Sequence, residues 1–191
     1  TSPHLHKFNE RVNIGGRDVT DEELSQAFEI VHKTAGDIKL SYFEYTTLAA
    51  LVCFSRATVG AVVLEIGLGG RLDAVNALDA DIAVITSIGL DHTKILGDTI
   101  GKIAFEKAGI IKNNCQVVLG EVEDEAYVVI KKRAEELHAE LHVQGKDFLG
   151  KFIDGFSYIQ KSPINIATFS LPYPKIPFCC APVAMRVITL L

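Results

Sequence analysis

The 191-residue chain has no tryptophan, one methionine and four cysteines, and these scarcities narrow what it can be. The cysteines stand at positions 53, 115, 179 and 180. No pair has the spacing of zinc ligands, and adjacent Cys179 and Cys180 are poorly placed for an ordinary bridge. Cys53 and Cys115 lie in apolar surroundings and read as core thiols, so a reduced, cytoplasmic protein is expected. Excess positive charge is missing too: a net charge of -5 supplies no general nucleic-acid surface. No signal peptide or membrane span is visible in this sequence, so no membrane partner is expected. A G-x-x-x-x-G-K-[ST] phosphate loop occurs nowhere. The chain opens on Thr1 without an initiator methionine and stops inside the apolar run 187–191. Both ends read as cut, and the chain is expected to be a piece of a longer protein.

What remains is 48% hydrophobic and 23% charged, a balance that suits one globular domain. Thr20 with Glu23, and Ser41 with Glu44, have capping-box spacing. They predict helices from 20 to near Gly36 and from 41 to about Ala57, the second apolar on most sides. Residues 9–12 read as extended, with a turn at Gly15-Gly16. The runs 59–66 and 82–88 lack polar alternation and predict parallel strands covered on both faces. A short helix opened by Asp98 or Thr99 should end at a left-handed Gly109. A strand at 116–119, a helix at 121–140 and a strand at 141–143 follow. Asp154-Gly155 between 148–153 and 156–159 signals a hairpin. Residues 164–171 read as another antiparallel strand, Pro172, Pro174 and Pro177 as a stiff link, and 181–191 as a helix with Pro182 in its first turn. The fold class is α/β, an open and mostly parallel sheet flanked by helices, with a small antiparallel hairpin region near the C-terminus. Residues 1–145 form the α/β core, 146–171 the antiparallel extension, and 172–191 the link and the start of a helix.

Chemistry gathers where strands end. The first apolar run closes on Glu65 and enters a turn holding Gly67, Gly69, Gly70, Arg71, Asp73 and Asn76. The second gives way to Gly89, Asp91 and His92. A carboxylate and an imidazole at the carboxyl edge of parallel strands suit a magnesium–phosphate site. Each residue also has a plainer reading. Glu65 could cap a helix or pair with Arg71, and His92 could be a packed or surface histidine. Asp91 could cap the turn that follows it. The glycines could serve a tight turn needed for topology rather than an approach to phosphates. Arg71 and Asp73 could be ordinary surface charge. Lys107 could simply favour the carboxyl end of its helix.

Several segments together carry a resemblance. They are residues 1–5, 8–12, 42–46, 64–76, 86–93 and 106–110, including Thr86-Ser87-Ile88-Gly89-Leu90-Asp91-His92-Thr93 and Glu106-Lys107-Ala108-Gly109-Ile110. In this order the chain resembles the folylpolyglutamate synthase and dihydrofolate synthase family of Mur-ligase-like enzymes, over most of residues 1–120. The resemblance implies most of a central ATPase-like domain, with the phosphate loop upstream and a smaller domain downstream. It implies ATP as cofactor, glutamate as one substrate and a folate or dihydropteroate as the other, handled by a monomer. It makes Glu65 and His92 magnesium ligands, with Asp91 orienting the imidazole or a ligand water, and it implies two ions. Lys107 becomes a carbamylated lysine, whose added oxygens would hold the second ion. Gly67, Gly69 and Gly70 face the nucleotide phosphates. Pro3, His4, Phe8, Asn9 and Arg11 resemble a folate-side segment, and Arg71, Asp73 and Asn76 border the same edge. Phe43 and Tyr45 could touch substrate or belong to the core, and Arg11 could pair with a substrate carboxylate or within the chain. One departure stands out. Relatives commonly carry Pro-Asn-Ala-Ala where this chain has Cys179-Cys180-Ala181-Pro182. A thiol there replaces an amide that offers both donor and acceptor.

The resemblance implies ATP-dependent amide formation through an acyl phosphate. Two other readings stay open. One is a noncatalytic nucleotide- or substrate-binding domain, favoured by the missing phosphate loop. The other is a cell-wall amino-acid ligase of the same broad group.

Overall fold

Helix α1 (Asp21–Ala35) starts where the sequence signals it. The Thr20 hydroxyl accepts from the Glu23 amide, and the Glu23 carboxylate accepts from the Thr20 amide at 2.7 Å. Helix α2 (Tyr42–Arg56) opens on the same reciprocal pair between Ser41 and Glu44. The computed structural model describes residues 3–57, 59–153, 156–160 and 186–191. Leu24, Ala27 and Val31 of α1 pack with Ala49, Ala50 and Cys53 of α2, and Val12 and Val19 close the same cluster. Strands β1 (Asn13–Ile14) and β2 (Arg17–Asp18) form a minimal antiparallel ribbon around Gly15-Gly16. The expected extended segment at 9–12 is instead mostly a 3-10 turn, Phe8–Arg11. The Glu10 carboxylate draws the chain round by accepting from the amides of Leu5, His6 and Lys7. Such side-chain to backbone bonds compete with extended structure.

The remaining strands are β3 (Ala61–Glu65), β4 (Ile82–Ile85), β5 (Gln116–Leu119), β6 (Glu140–Val143), β7 (Leu149–Ile153), β8 (Phe156–Gln160) and β9 (Arg186–Leu190). Among them run helices α3 (Thr93–Leu96), α4 (Ile100–Ala108) and α5 (Asp124–Glu136). Five strands form one parallel sheet in the order β3-β9-β4-β5-β6, while β7 and β8 form the expected antiparallel hairpin.

Strand β9 replaces the expected helix over 186–190, while 181–185 lie outside the described residues. The β-branched run Val187, Ile188, Thr189 pairs on one side with β3 and on the other with β4. A helix there would leave the facing edges of β3 and β4 without backbone partners. Two smaller corrections concern helix ends. Gly109 lies in the right-handed helical region, φ -64° and ψ -10°, rather than the left-handed one. Helix α5 is shorter than predicted because the chain turns at His138, φ 52°, to enter β6. The strand expected at 164–171, the proline link, Asp154-Gly155 and Cys179-Cys180 lie outside the described residues.

Register shows which face is covered. Leu64, Thr189, Ala83, Val117 and Leu141 form one row across the sheet. The first four are buried, beneath α2 at one end and α4 and α5 at the other. The neighbouring row, Val63, Ile188, Ile82, Gln116 and Glu140, points to the opposite face. Val63 there is 56% exposed, while Ile188, Ile82 and Gln116 are partly buried, so among the described residues this face is less completely covered than the first. Among those residues no helix is long and apolar enough to cross a membrane.

The α1 cap provides a stability test. Hydrogen bonds from Arg17, together with the Thr20 amide, lower the Glu23 pKa from 4.5 to about 2. A depressed carboxylate stabilises the fold above its unfolded pKa and loses that contribution as pH falls through the folded one. Glu23→Gln should therefore lower the thermal midpoint at pH 7, with the deficit shrinking between pH 4.5 and pH 2. Parallel thermal melts across that range would show it; a deficit independent of pH would contradict the assignment.

Candidate active site

Strands β3, β9 and β4 lie side by side and end at one edge. Glu65 closes β3, Leu191 follows β9 and Thr86 follows β4. Thr86 fastens this edge: its amide and hydroxyl both donate to the Leu191 carbonyl, at 3.0 and 2.8 Å. Above it opens a cavity of about 390 Å³. Glu65, Gly67, Gly69, Asp91, His92 and Lys107 all line it. Three separate chain segments thus bring the sequence-predicted carboxylate, imidazole and lysine to one space.

The turn after β3 is held from within. The Asp73 carboxylate accepts from the amides of Gly67 and Leu68 at 3.1 and 2.8 Å, and from Val75 at 2.9 Å. It therefore straps the turn to its own beginning and caps the short 3-10 helix Ala74–Ala77. Gly67 must lack a side chain because a Cβ would stand 2.5 Å from the Phe43 ring. Gly70 combines φ +144° with a would-be Cβ only 2.8 Å from the Glu106 carbonyl.

His92 sits in the left-handed region, φ 49° and ψ 36°, where residues other than glycine are uncommon. Its amide donates to the Asp91 carboxylate at 2.7 Å, which favours that backbone, and the imidazole Nε2 lies 3.7 Å from the other carboxylate oxygen. Lys107 rises from the last turn of α4. Its burial lowers the ammonium pKa, and the charge of Asp91 partly opposes the shift. A neutral amine is correspondingly easier to reach there than on an exposed lysine.

The donor set bears on which metal could bind. No group of three or more His, Cys, Asp or Glu side chains among the described residues is disposed to hold an ion. Glu65 and His92 supply two donors, and an unmodified lysine ammonium supplies none. Two protein donors suit a magnesium-like ion that keeps waters and takes phosphate oxygens, rather than a fully caged metal.

The other predicted binding residues divide into groups. Arg71 pairs with Glu106, and Asn76 donates to the carbonyls of Arg71 and Gly109 at 3.2 and 3.0 Å. With Asp73, these side chains are engaged within the chain. Phe43 packs under Gly67 at the cavity, whereas Tyr45 points elsewhere and donates to the Phe28 carbonyl at 3.0 Å. A second, apolar groove of about 450 Å³ is lined by Phe8, Phe28, Leu40, Tyr42 and Tyr45. At its border the Arg11 guanidinium lies 5.2 Å from the Phe8 ring centroid and 5.7 Å from that of Tyr42, while its Nε donates to His4 at 2.8 Å. Asn9 donates to the Val19 carbonyl and the Asp21 carboxylate, and Pro3 is exposed. Sequence reasoning gave no role to Glu106, Thr86 or Tyr42. Only the adjacency of Glu106 to Lys107 hinted at the first.

The Mur ligase middle domain family matches residues 18–169. The chain belongs to that family. Within it, the chain is 42% identical over 181 residues to a dihydrofolate synthase/folylpolyglutamate synthase of Haemophilus influenzae, covering 95% of this chain and 40% of that protein. The chain thus spans less than half the length of this relative. A solved structure of E. coli FolC in complex with DHPP and ADP is 40% identical, with a TM-score of 0.78 over 84% of this chain and 38% of that one. A bifunctional folylpolyglutamate synthase/dihydrofolate synthase with Mn, AMPPNP and L-glutamate bound is 39% identical, with a TM-score of 0.76 over 93% of this chain and 42% of that one. These relatives of the Mur ligase family member are named as folate-glutamate synthases, the group that its sequence segments resemble.

The Asp73 strap yields a direct test. Asp73→Ala removes three amide partners and should cost about 1–3 kcal/mol. Urea unfolding of the two proteins would measure this; a loss below about 0.5 kcal/mol would show that the turn holds without the strap.

Proposed function

We propose that this chain is the core of an ATP-dependent ligase that joins glutamate to dihydropteroate or to the glutamate tail of a reduced folate. The convergence of Glu65, His92 and Lys107 on one cavity carries this reading. Relatives solved with ADP, with AMPPNP and Mn, and with L-glutamate or DHPP support it. ATP would phosphorylate the substrate carboxylate to an acyl phosphate. The glutamate amine would then attack its carbonyl carbon, forming the amide as phosphate leaves.

Glu65 and His92 would hold a magnesium ion, which when bound supplies charge neutralisation around the phosphate oxygens. Asp91 keeps His92 in its left-handed backbone and so aims the imidazole. Lys107, disposed by burial toward its neutral form, is the residue on which carbon dioxide would form a carbamate. That carbamate would give a second ion oxygen donors that the ammonium lacks. The backbone at Gly67 and Gly69 faces the same cavity and suits close approach of phosphate. The groove bordered by His4, Phe8 and Arg11 suits the aromatic, carboxylate-bearing end of a folate. The reading assigns the phosphate loop and most glutamate contacts to sequence outside these 191 residues, and places a monomeric enzyme in the cytoplasm.

The assay is ATP- and glutamate-dependent product formation from dihydropteroate or tetrahydrofolate, with the complete gene product beside the 191-residue chain. Turnover is expected from the former alone; turnover by the short chain at a comparable rate would defeat the assignment of essential parts elsewhere. In the complete protein, Glu65→Gln should lower turnover by at least about 100-fold while leaving thermal unfolding nearly unchanged. A folded variant with full turnover and unaltered magnesium dependence would remove Glu65 from the ligands.

Lys107→Ala should disable the complete enzyme too, with partial recovery on adding short carboxylates that replace the missing oxygens. Retained activity without the added acid would rule out the carbamate.

A further inference from the structure

Two parts of the candidate site are fastened together by a pair that touches neither ATP nor metal in the reading above. Arg71 leaves the glycine turn six residues after Glu65, and Glu106 precedes Lys107 on α4. The Arg71 Nε donates to both Glu106 carboxylate oxygens, at 3.3 and 3.1 Å, and its Nη2 donates to one of them at 2.9 Å. The Arg71 amide also donates to the Glu106 carbonyl at 2.8 Å, engaging an acceptor in the last turn of α4. The guanidinium lies 5.5 Å from the Phe105 ring centroid. Gly109 completes the seat, since a Cβ there would collide with the Cα and Cβ of Arg71. Asn76 bridges the two segments once more through the carbonyls of Arg71 and Gly109.

Such a pair adds little to global stability. The Arg71 side chain is 42% exposed, and ion pairs in that setting contribute modestly. A forked guanidinium–carboxylate contact nonetheless fixes orientation as well as distance. Here it joins the element that ends in Glu65 to the element that carries Lys107, across 35 residues of sequence.

We infer that Arg71 and Glu106 are positioning residues, which hold the glycine turn on α4 and thereby set Lys107 opposite Glu65. The inference rests on the metal reading of the cavity but makes a claim of its own. Arg71 acts through the geometry of the site and does not touch a substrate carboxylate.

Two readouts on the 191-residue chain test it without catalysis. The first is Mn2+ binding, followed by the electron paramagnetic resonance signal of the free ion. Arg71→Leu and Glu106→Gln should each weaken binding by about 10–100-fold, as expected when the support of a metal site is removed. Arg17→Leu is the control. It breaks the comparable forked pair with Glu23, at 2.9 and 2.8 Å, on α1. That variant should leave Mn2+ affinity unchanged even though its thermal midpoint falls.

The second readout is the labelling rate of Lys107 by an amine-reactive reagent, read by peptide mass. It should rise several-fold in both site variants while Lys112, whose side chain is 20% exposed, keeps its rate. Wild-type Mn2+ affinity together with an unchanged Lys107 rate in folded Arg71→Leu would overturn the inference. If the wild-type chain binds no Mn2+, or binds it equally after Glu65→Gln, the metal reading fails instead. The labelling rate then decides alone whether the pair positions Lys107.

Discussion

Parallel pairing of β9 between β3 and β4 is the constraint on which the rest of the structure depends. It holds those strands two interstrand spacings apart, about 10 Å. Glu65, His92 and Leu191 line one cavity above the ends of these three strands. The turns leaving β3 and β4 are free to diverge because the strands beneath them are not. Sheet hydrogen bonds set the spacing, and side chains then refine it.

Around that cavity the chain uses each polar group locally before offering any to a ligand. Asp73 is occupied by three amides, Asn76 by two carbonyls and Arg71 by Glu106. What faces the cavity is a smaller set with less conventional surroundings. His92 has a left-handed backbone, and Lys107 is half-buried with a lowered ammonium pKa. A protein whose turns are internally satisfied can present such groups without losing the backbone beneath them.

Much of this was legible in the residues. Reciprocal Ser/Thr and Glu spacing placed α1 and α2 because it encodes a local hydrogen-bond pair. The uniform apolar runs before Glu65 and Thr86 placed β3 and β4, and strand ends are where parallel sheets expose chemistry. The run at 187–191 was misread because a short apolar stretch carries no period that separates helix from strand, and the slot awaiting it was invisible in one dimension. The turn at 8–11 was misread because Glu10 spends its carboxylate on three preceding amides. The Arg71–Glu106 contact was not readable at all. No local rule links two residues 35 apart, and Arg71 looked like an ordinary exposed charge.

The less covered sheet face has a consequence for handling the molecule in solution. Among the described residues strand β3 is an edge, and Val63 on it stands beside other partly exposed aliphatic side chains. An open edge next to a greasy surface invites one copy to lie against another. Against this acts only the mutual repulsion of a net charge of -5, which dissolved salt shortens to about 8 Å at physiological strength. Colloidal behaviour of the 191-residue chain should therefore worsen as ionic strength rises. Low-salt buffer well above pH 5.7 is the condition that best keeps its copies apart.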